Sequence, residues 1–414
     1  MRIIVIPVGS AGDVHPYVGV ALALQQRGHH VRVITNPYFA PLLKRVGLPL
    51  TPVGTAKDFH QVLDHPDIWD HMRGLGVIGR AVARSTAELY RLIQAEATKG
   101  HEVLVAPGLA FAARIAHETI GLPLVTMHLQ PSCFISVHES AVMHPWLASI
   151  NRWPPILKRM VLRVADSVAD RALSTGANTL RAELGLPIVQ HIVSEWWHSP
   201  QSVIGLFPTW YGAIQPDWPQ QTSLTGFPLY DEREATPIDP GLDVFLSAST
   251  DRPVVFVPGS GNRQASLFFA SAADACHRLG RRGLLLTRFQ EQIPGSLPAG
   301  VRHADYAPLS EVLTRAEALV HHGGIGTSAQ ALRCGCPQLV MPMTFDQPDN
   351  AARLAQLGVS RTISPGTFTG NRVARELEKL LGSDDVSHAC RNVAQRFDGI
   401  DPVTETCELI EAAG

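Results

Sequence analysis

The stretch His321-His322-Gly323-Gly324-Ile325-Gly326-Thr327-Ser328 follows the apolar run Ala318–Val320. It leads into Cys334-Gly335-Cys336-Pro337 and then Pro342-Met343-Thr344-Phe345-Asp346-Gln347-Pro348-Asp349-Asn350. The apolar run reads as a buried strand, and the alanines and leucine of 328–333 suit a helix. A strand that breaks at a glycine cluster and restarts as a helix leaves unpaired backbone N–H groups at the helix start. The helix dipole adds partial positive charge there, so the turn is suited to a phosphate. Gly323, Gly324 and Gly326 permit an anion to approach the backbone, and His322 and Thr327 add side-chain donors. A next strand, 338–341, ends in a loop carrying Asp346, Gln347, Asp349 and Asn350. Ligands of open α/β sheets bind outside the carboxyl ends of the strands. A phosphate cradle beside carboxylate and amide groups suited to sugar hydroxyls points to a nucleotide sugar.

Moving outward, the chain repeats one architecture twice. Ile3–Val8 reads as a strand, 9–16 as a loop and 17–27 as a helix, followed by a strand at 30–35. This βαβ opening implies a parallel sheet. The alternation continues to a strand at 123–128, interrupted by a loop excursion over 55–76. Residues 130–200 break the rhythm with several prolines and an amphipathic helix over 156–173. That helix carries Lys158, Arg159, Arg163 and Arg171 against Asp166 and Asp170, and is either the solvated flank of an ordinary domain or a strip suited to an anionic membrane surface. The pattern restarts at Val254, with a loop Gly259-Ser260-Gly261, a helix over 265–279 and strands at 283–287, 301–304 and 318–321. The expected division is a first domain over 1–228, a linker over 229–252, a second domain over 253–396 and a terminal helical segment over 397–414.

Composition narrows the classes. The chain has 414 residues, 45% hydrophobic and 17% charged, with a formal net charge of −2. Two domains are the prior at this length. Near-neutral balance gives no support for a nucleic-acid partner. The six cysteines are scattered without zinc-finger spacing, which suits reduced thiols and a cytoplasmic setting. No apolar run of 18 residues is present, so any membrane contact is expected to be peripheral. A dinucleotide-dependent dehydrogenase would need Gly-x-Gly-x-x-Gly with an acid about 20 residues on. Gly9-Ser10-Ala11-Gly12 lacks that spacing, and the second strand ends in Thr35-Asn36.

With these residues in view, a resemblance emerges. Tyr306-Ala307-Pro308, His322-Gly-Gly-Ile-Gly-Thr327, Gly335-Cys-Pro337, then Asp346-Gln347 and Asn350 resemble, in order and spacing, the donor signature of the UDP-glycosyltransferase superfamily. The resemblance implies the GT-B fold, two facing doubly wound Rossmann-like domains, and inverting transfer of a sugar. It places Ser260, His322, Gly324, Gly326 and Thr327 at the diphosphate, Tyr306 against the base, Gln330 at the ribose, and Asp346 and Gln347 on the sugar. Tyr306 and Gln330 stand where plant members carry Trp and Glu. No Asp-x-Asp triplet occurs, so no metal or other cofactor is expected.

The base should come from the first domain. Plant relatives place a catalytic His after the glycine of a Gly-His-x-x-Pro run, whereas Gly12-Asp13-Val14-His15-Pro16 puts Asp13 there. Asp13 is the expected base and His15 its rival; a helix-capping role for Asp13 is compatible with either. Asp67-Ile-Trp-Asp70, Trp197-His-Ser-Pro200, Asp217-Trp-Pro219 and Thr225-Gly-Phe-Pro228 are similar to the rhamnosyltransferases that form rhamnolipids. That similarity implies a lipid-like hydroxy-fatty-acid acceptor, with dTDP-L-rhamnose as donor, or UDP-glucose as in other glycolipid-modifying relatives. Ser10, Phe134 and Trp146 are then candidates to contact the acceptor. A sugar-nucleotide epimerase or a non-catalytic binding module are the rival classes, and a monomer or weak homodimer is expected.

Overall fold

The computed structural model describes residues 1–97, 102–144, 147 and 149–414. The chain divides into two compact units, one made of Met1–Gly9, Asp13–Pro228 and Asp401–Gly414, the other of Ser10–Gly12 and Leu229–Ile400.

The first unit holds a parallel sheet of β1 (Arg2–Val5), β2 (His30–Thr35), β3 (Leu50–Pro52), β4 (Glu102–Ala106), β5 (Leu124–His128), β6 (Ser202–Gly205) and β7 (Thr222–Leu224), in the order β3-β2-β1-β4-β5-β6-β7. The apolar runs predicted as strands are buried on both faces, as a parallel sheet covered by helices requires. Ile4, Ile6, Leu104 and Leu124 pack against helix residues such as Phe111, Ile115, Leu173 and Ile93. The order reverses between β1 and β4, whose residues Val5 and Val105 lie side by side. The loop after β1 therefore opens at a topological switch point.

The second unit repeats the plan with β8 (Val254–Val257), β9 (Gly283–Leu286), β10 (Val301–Ala304), β11 (Ala318–His321), β12 (Gln338–Val340) and β13 (Ser360–Thr362), ordered β10-β9-β8-β11-β12-β13 and all parallel. Its switch point lies between β8 and β11, where Val257 pairs with His321. Both sheets match the doubly wound reading of the sequence.

Several boundaries differ from the sequence expectation. The helix after β1 begins at Ala11, not at Tyr17, and Pro16 lies inside it. Proline costs a helix one N–H, and here the carbonyl left without that partner is Gly12's, in the first turn. Residues 55–76 contain a helix, Ala56–Leu63, set by a capping box in which Thr55 and Asp58 exchange side-chain and backbone bonds. The helix expected over 156–173 runs from Pro155 to Glu183, with Pro155 in its first turn, and continues through Gly176 to end before Gly185. The stretch read as a linker, 229–252, belongs to the second unit. There Leu242 and Leu246 join Val255 and Leu284 in the core, and Asp231 accepts a bond from Ser310 N at 2.8 Å.

The terminal helix Pro402–Glu411 is part of the first unit. Cys407 and Ile410 are fully buried, and Thr406 Oγ1 meets Thr225 Oγ1 at 2.8 Å. Arg27 grips Glu411 with two hydrogen bonds of 2.7 Å, and His29 Nε2 adds a third contact at 2.7 Å. These bonds hold the Glu411 carboxyl down at about 2.

Candidate active site

The site is built on the end of β11 and the helix that follows. His321 is wholly buried; its Nδ1 accepts from Gly323 N at 3.2 Å, and its Nε2 lies 3.0 Å from Gln338 Oε1. The first contact fixes the proton on Nε2, so that nitrogen donates to the glutamine. Burial, with neighbouring His322 second, drives the His321 pKa to about 3. His321 is thus a neutral strut that holds the backbone turn at Gly323. Gly323 has φ +93°, and a Cβ there would meet Val340 Cγ1 at 2.9 Å and Gln347 O at 3.2 Å. Only glycine suits both conditions.

His322 lies in a slot between two glycines. A Cβ on Gly259 would stand 3.0 Å from His322 Nε2, and one on Gly324 would stand 2.5 Å from it. Gly259 follows β8 and Gly324 precedes the next helix, so the two strands at the switch point each give up a side chain to admit the imidazole. Burial depresses the His322 pKa to about 4, opposed by the nearby Val257 backbone. Its Nδ1 is enclosed and makes no well-formed hydrogen bond.

The helix Ile325–Arg333 starts at Gly324 with no side-chain cap. Its first intrahelical amide bond is Ser328 N to Gly324 O at 3.0 Å, which leaves the N–H groups of Ile325, Gly326 and Thr327 without helical partners. Three such donors, the dipole of a nine-residue helix and a neutral imidazole converge at one strand end. That arrangement is suited to an anion such as a diphosphate.

The loop after β12 lies alongside. Phe345 takes φ +59°, a left-handed conformation that costs a residue with a large side chain about 1–2 kcal/mol. The turn delivers Asp346 to the start of helix Gln347–Gln356. Asn350 Nδ2 donates to Asp346 Oδ2 at 2.7 Å and to Gly323 O at 2.9 Å, tying the two strand-end loops together. Gln347 spends its Oε1 on Met343 N at 2.8 Å. Asp349 is committed to a buried ion pair with Arg353 at 2.8 Å. Of the four polar residues in this loop, Asp349 and Asn350 thus fasten the structure, and Asp346 is the half-buried carboxylate beside the phosphate turn.

Other expected donor residues are placed unequally. Ser260 is exposed in the loop after β8. Gln330 is buried on the helix behind the turn. Tyr306 donates to Asp231 O, and Arg288 stands over its ring at 5.2 Å from the centroid. One face of that ring is therefore already covered, by a residue 18 positions away in the chain.

In the first unit, Asp13 is the third residue of helix Ala11–Gln26. Its carboxylate folds back over Gly9, where φ is +131° and a Cβ would come 2.3 Å from Asp13 Oδ2. His15 follows two positions later, about 200° round the same helix, so the two side chains leave it on opposite sides. Ser10 immediately precedes this helix and is half-buried. Phe134 requires correction as an acceptor contact. It is fully buried, stacked on Trp218 at 4.2 Å and on His198 at 5.3 Å, and offers no surface to a ligand. Trp146 lies outside the described residues.

Comparison with known proteins follows the same two halves. The glycosyltransferase family 28 N-terminal domain matches residues 3–138, and the erythromycin biosynthesis protein CIII-like C-terminal domain matches residues 285–404. Glycosyltransferase GtfE of Amycolatopsis orientalis is 30% identical over 405 residues, covering 93% of this chain and 91% of the relative. The O-mycaminosyltylonolide 6-deoxyallosyltransferase of Streptomyces fradiae is 28% identical over 444 residues, covering 99% and 97%. The solved structure of the spinosyn rhamnosyltransferase SpnG complexed with thymidine diphosphate has the same fold, with a TM-score of 0.70 at 19% identity, covering 99% of this chain and all of that one. The chain belongs to the GT-B glycosyltransferases of this type and is a nucleotide-sugar-dependent glycosyltransferase.

Proposed function

We propose that the chain transfers a hexose, with inversion and without a metal ion, from a thymidine-diphosphate sugar to a hydroxyl of a hydrophobic small molecule. The observation that carries this reading is the glycine-walled slot of His322 beside the uncapped helix start at Ile325–Thr327. The donor class is supported by the thymidine diphosphate in the spinosyn rhamnosyltransferase, and the acceptor class by the tylonolide-modifying relative. dTDP-L-rhamnose and a hydroxy-fatty acid are the narrowest form of the proposal, resting on the first-domain motifs; UDP-glucose is the alternative donor.

In the step itself the acceptor oxygen bonds to the anomeric carbon as that carbon's bond to the diphosphate oxygen breaks. Both electrons of the broken bond leave with the diphosphate, and the hydroxyl proton passes to Asp13, or to His15 as the rival. The growing charge on the diphosphate meets donors already in place, so little reorganisation is needed. Because the His322 imidazole is neutral near pH 7, it contributes a hydrogen bond and no full charge. Asp346, with Gln347 Nε2, would take the sugar hydroxyls. An ionised carboxylate in the first turn of a helix is a weak base toward an alcohol, so proton transfer must accompany departure of the leaving group.

The test is a thermal-shift and calorimetry series with dTDP, UDP and their sugar derivatives in EDTA. Binding of one nucleotide class in EDTA is the expected result, and binding only after a divalent ion is restored would refute the metal-free reading. Asp13→Asn should leave donor affinity unchanged and lower kcat by about 10²–10⁴-fold. If transfer survives in Asp13→Asn and is lost in His15→Ala, the base is His15.

A further inference from the structure

The helix Pro155–Glu183 carries an unusual exposed face. It runs parallel to helix Gly74–Ala97. A Cβ on Gly79 would lie 1.8 Å from Ala172 O, and one on Gly176 would lie 2.4 Å from Ala83 Cα. Both contacts are offset by 93 positions, so Gly74, the first residue of the shorter helix, is level with Ser167. The segment before that, Pro155–Asp166, therefore overhangs its neighbour by about 18 Å at 1.5 Å per residue.

On this overhang and just past it, Ile156 is 68% exposed, Leu157 46%, Met160 61%, Val164 66% and Val168 47%. At 100° per residue these five span an arc of about 120°, one continuous apolar stripe. Lys158, Asp166 and Ala169 on the opposite side are buried, so the helix is seated by its other face. Isolated apolar residues on a surface are ordinary, but a stripe this wide on a protruding helix is not. Arg152, Arg159 and Arg163 are exposed, and Arg159 and Arg163 border the stripe along one edge. Between Asn151 and Ala165 there is no acidic residue.

We propose that this helix face docks on an anionic lipid bilayer, laying Ile156, Met160 and Val164 into the headgroup boundary while the arginines pair with lipid phosphates. Apolar area supplies part of the attraction and anionic charge the rest, which is the pattern of interfacial amphipathic helices. A protein partner would need a matching apolar groove with acidic edges, whereas a bilayer supplies both components without shape. The proposal is independent of which donor or acceptor the enzyme uses.

Flotation of the full chain with vesicles tests it. The chain should float with phosphatidylcholine–phosphatidylglycerol vesicles, stay in solution with phosphatidylcholine alone, and release as salt is raised. The triple variant Ile156→Ser, Met160→Ser, Val164→Ser should lose on the order of a hundredfold in partition coefficient. Arg159→Glu with Arg163→Glu should lose at least about tenfold. All five side chains are exposed, so the melting temperature should not move, which separates lost docking from lost folding. Failure of the parent chain to float, or equal flotation of the triple variant, overturns the proposal. So does a parent chain that sediments as a dimer and does not float while the triple variant is a monomer, since the face is then a self-interface.

Discussion

At the residue scale, the arrangement at His322 depends on what is missing at its two neighbours. Gly324 has φ −63°, an ordinary value, so alanine fits the backbone there, and its cost comes only from the methyl group placed 2.5 Å from His322 Nε2. Gly324→Ala should therefore leave the melting temperature within a few degrees of the parent, since replacing an N-cap glycine by alanine costs about 1 kcal/mol. Its dissociation constant for a nucleoside diphosphate should rise at least about tenfold as the imidazole is pushed from its slot, and calorimetry would read this directly. Unchanged affinity would mean that the imidazole is not at the phosphate. The near half of this site was legible because Gly323, Gly324 and His322 are contiguous and sit where a strand turns into a helix. The far wall, Gly259, was not. It is adjacent to His322 only because β8 and β11 pair in space, and one sequence contains no record of that pairing. Phe134 misled for a related reason. An aromatic in an irregular loop reads alike whether it faces a ligand or stacks between Trp218 and His198.

At the scale of elements, the parallel helix pair Gly74–Ala97 and Pro155–Glu183 comes close because Gly79 and Gly176 carry no side chain at the crossing. Gly176→Val would drive its Cβ into Ala83 and should cost on the order of 3 kcal/mol, with a further loss from β-branching in a helix. Denaturant unfolding should show a lower midpoint for the first unit, and a midpoint within error of the parent would show that the helices part at no cost. The second of these helices is visible in the sequence as the amphipathic run over 156–173, but the start of the helix after β1 is not. Pro16 and Gly12 both signal an irregular segment, yet Pro16 is held in the first turns, where only the Gly12 carbonyl goes without its partner. The 155–183 helix likewise runs past the expected end at 173, through Ser174-Thr175-Gly176 and Asn178-Thr179, weak helix formers that read as a break.

At the scale of the whole molecule, each unit holds a pair of neighbouring histidines, of which His128, His198 and His321 are buried and His322 is half-buried. His128 and His198 touch at 3.1 Å in the first unit; Trp197 Nε1 donates to His198 Nε2, which puts the His198 proton on Nδ1, facing His128. His321 and His322 form the second pair. Burial lowers the pKa of all four, to about 4 for His198 and His322 and about 3 for His321, with His128 well below its usual value. The unfolded chain binds a proton at each of these sites below about 6.5, whereas the folded chain does not until far lower pH. Stability is therefore fully present above about 6.5 and falls as pH drops toward 4, at a rate approaching 1.4 kcal/mol per pH unit for each histidine. Calorimetric scans at pH 7, 6 and 5 should show transitions from both units moving down together. If only one moves, the other pair is already solvated in the native state.

The first unit contains Asp401–Gly414, although the whole of Leu229–Ile400 is made before that segment. A ribosome therefore releases the second unit's entire sequence while the first still lacks the helix that carries Cys407, Ile410 and Glu411, the partner of Arg27. Folding in order of synthesis is the usual expectation for a chain of this kind. Here that order is inverted for the last step, since the earliest-made unit is the last to be closed.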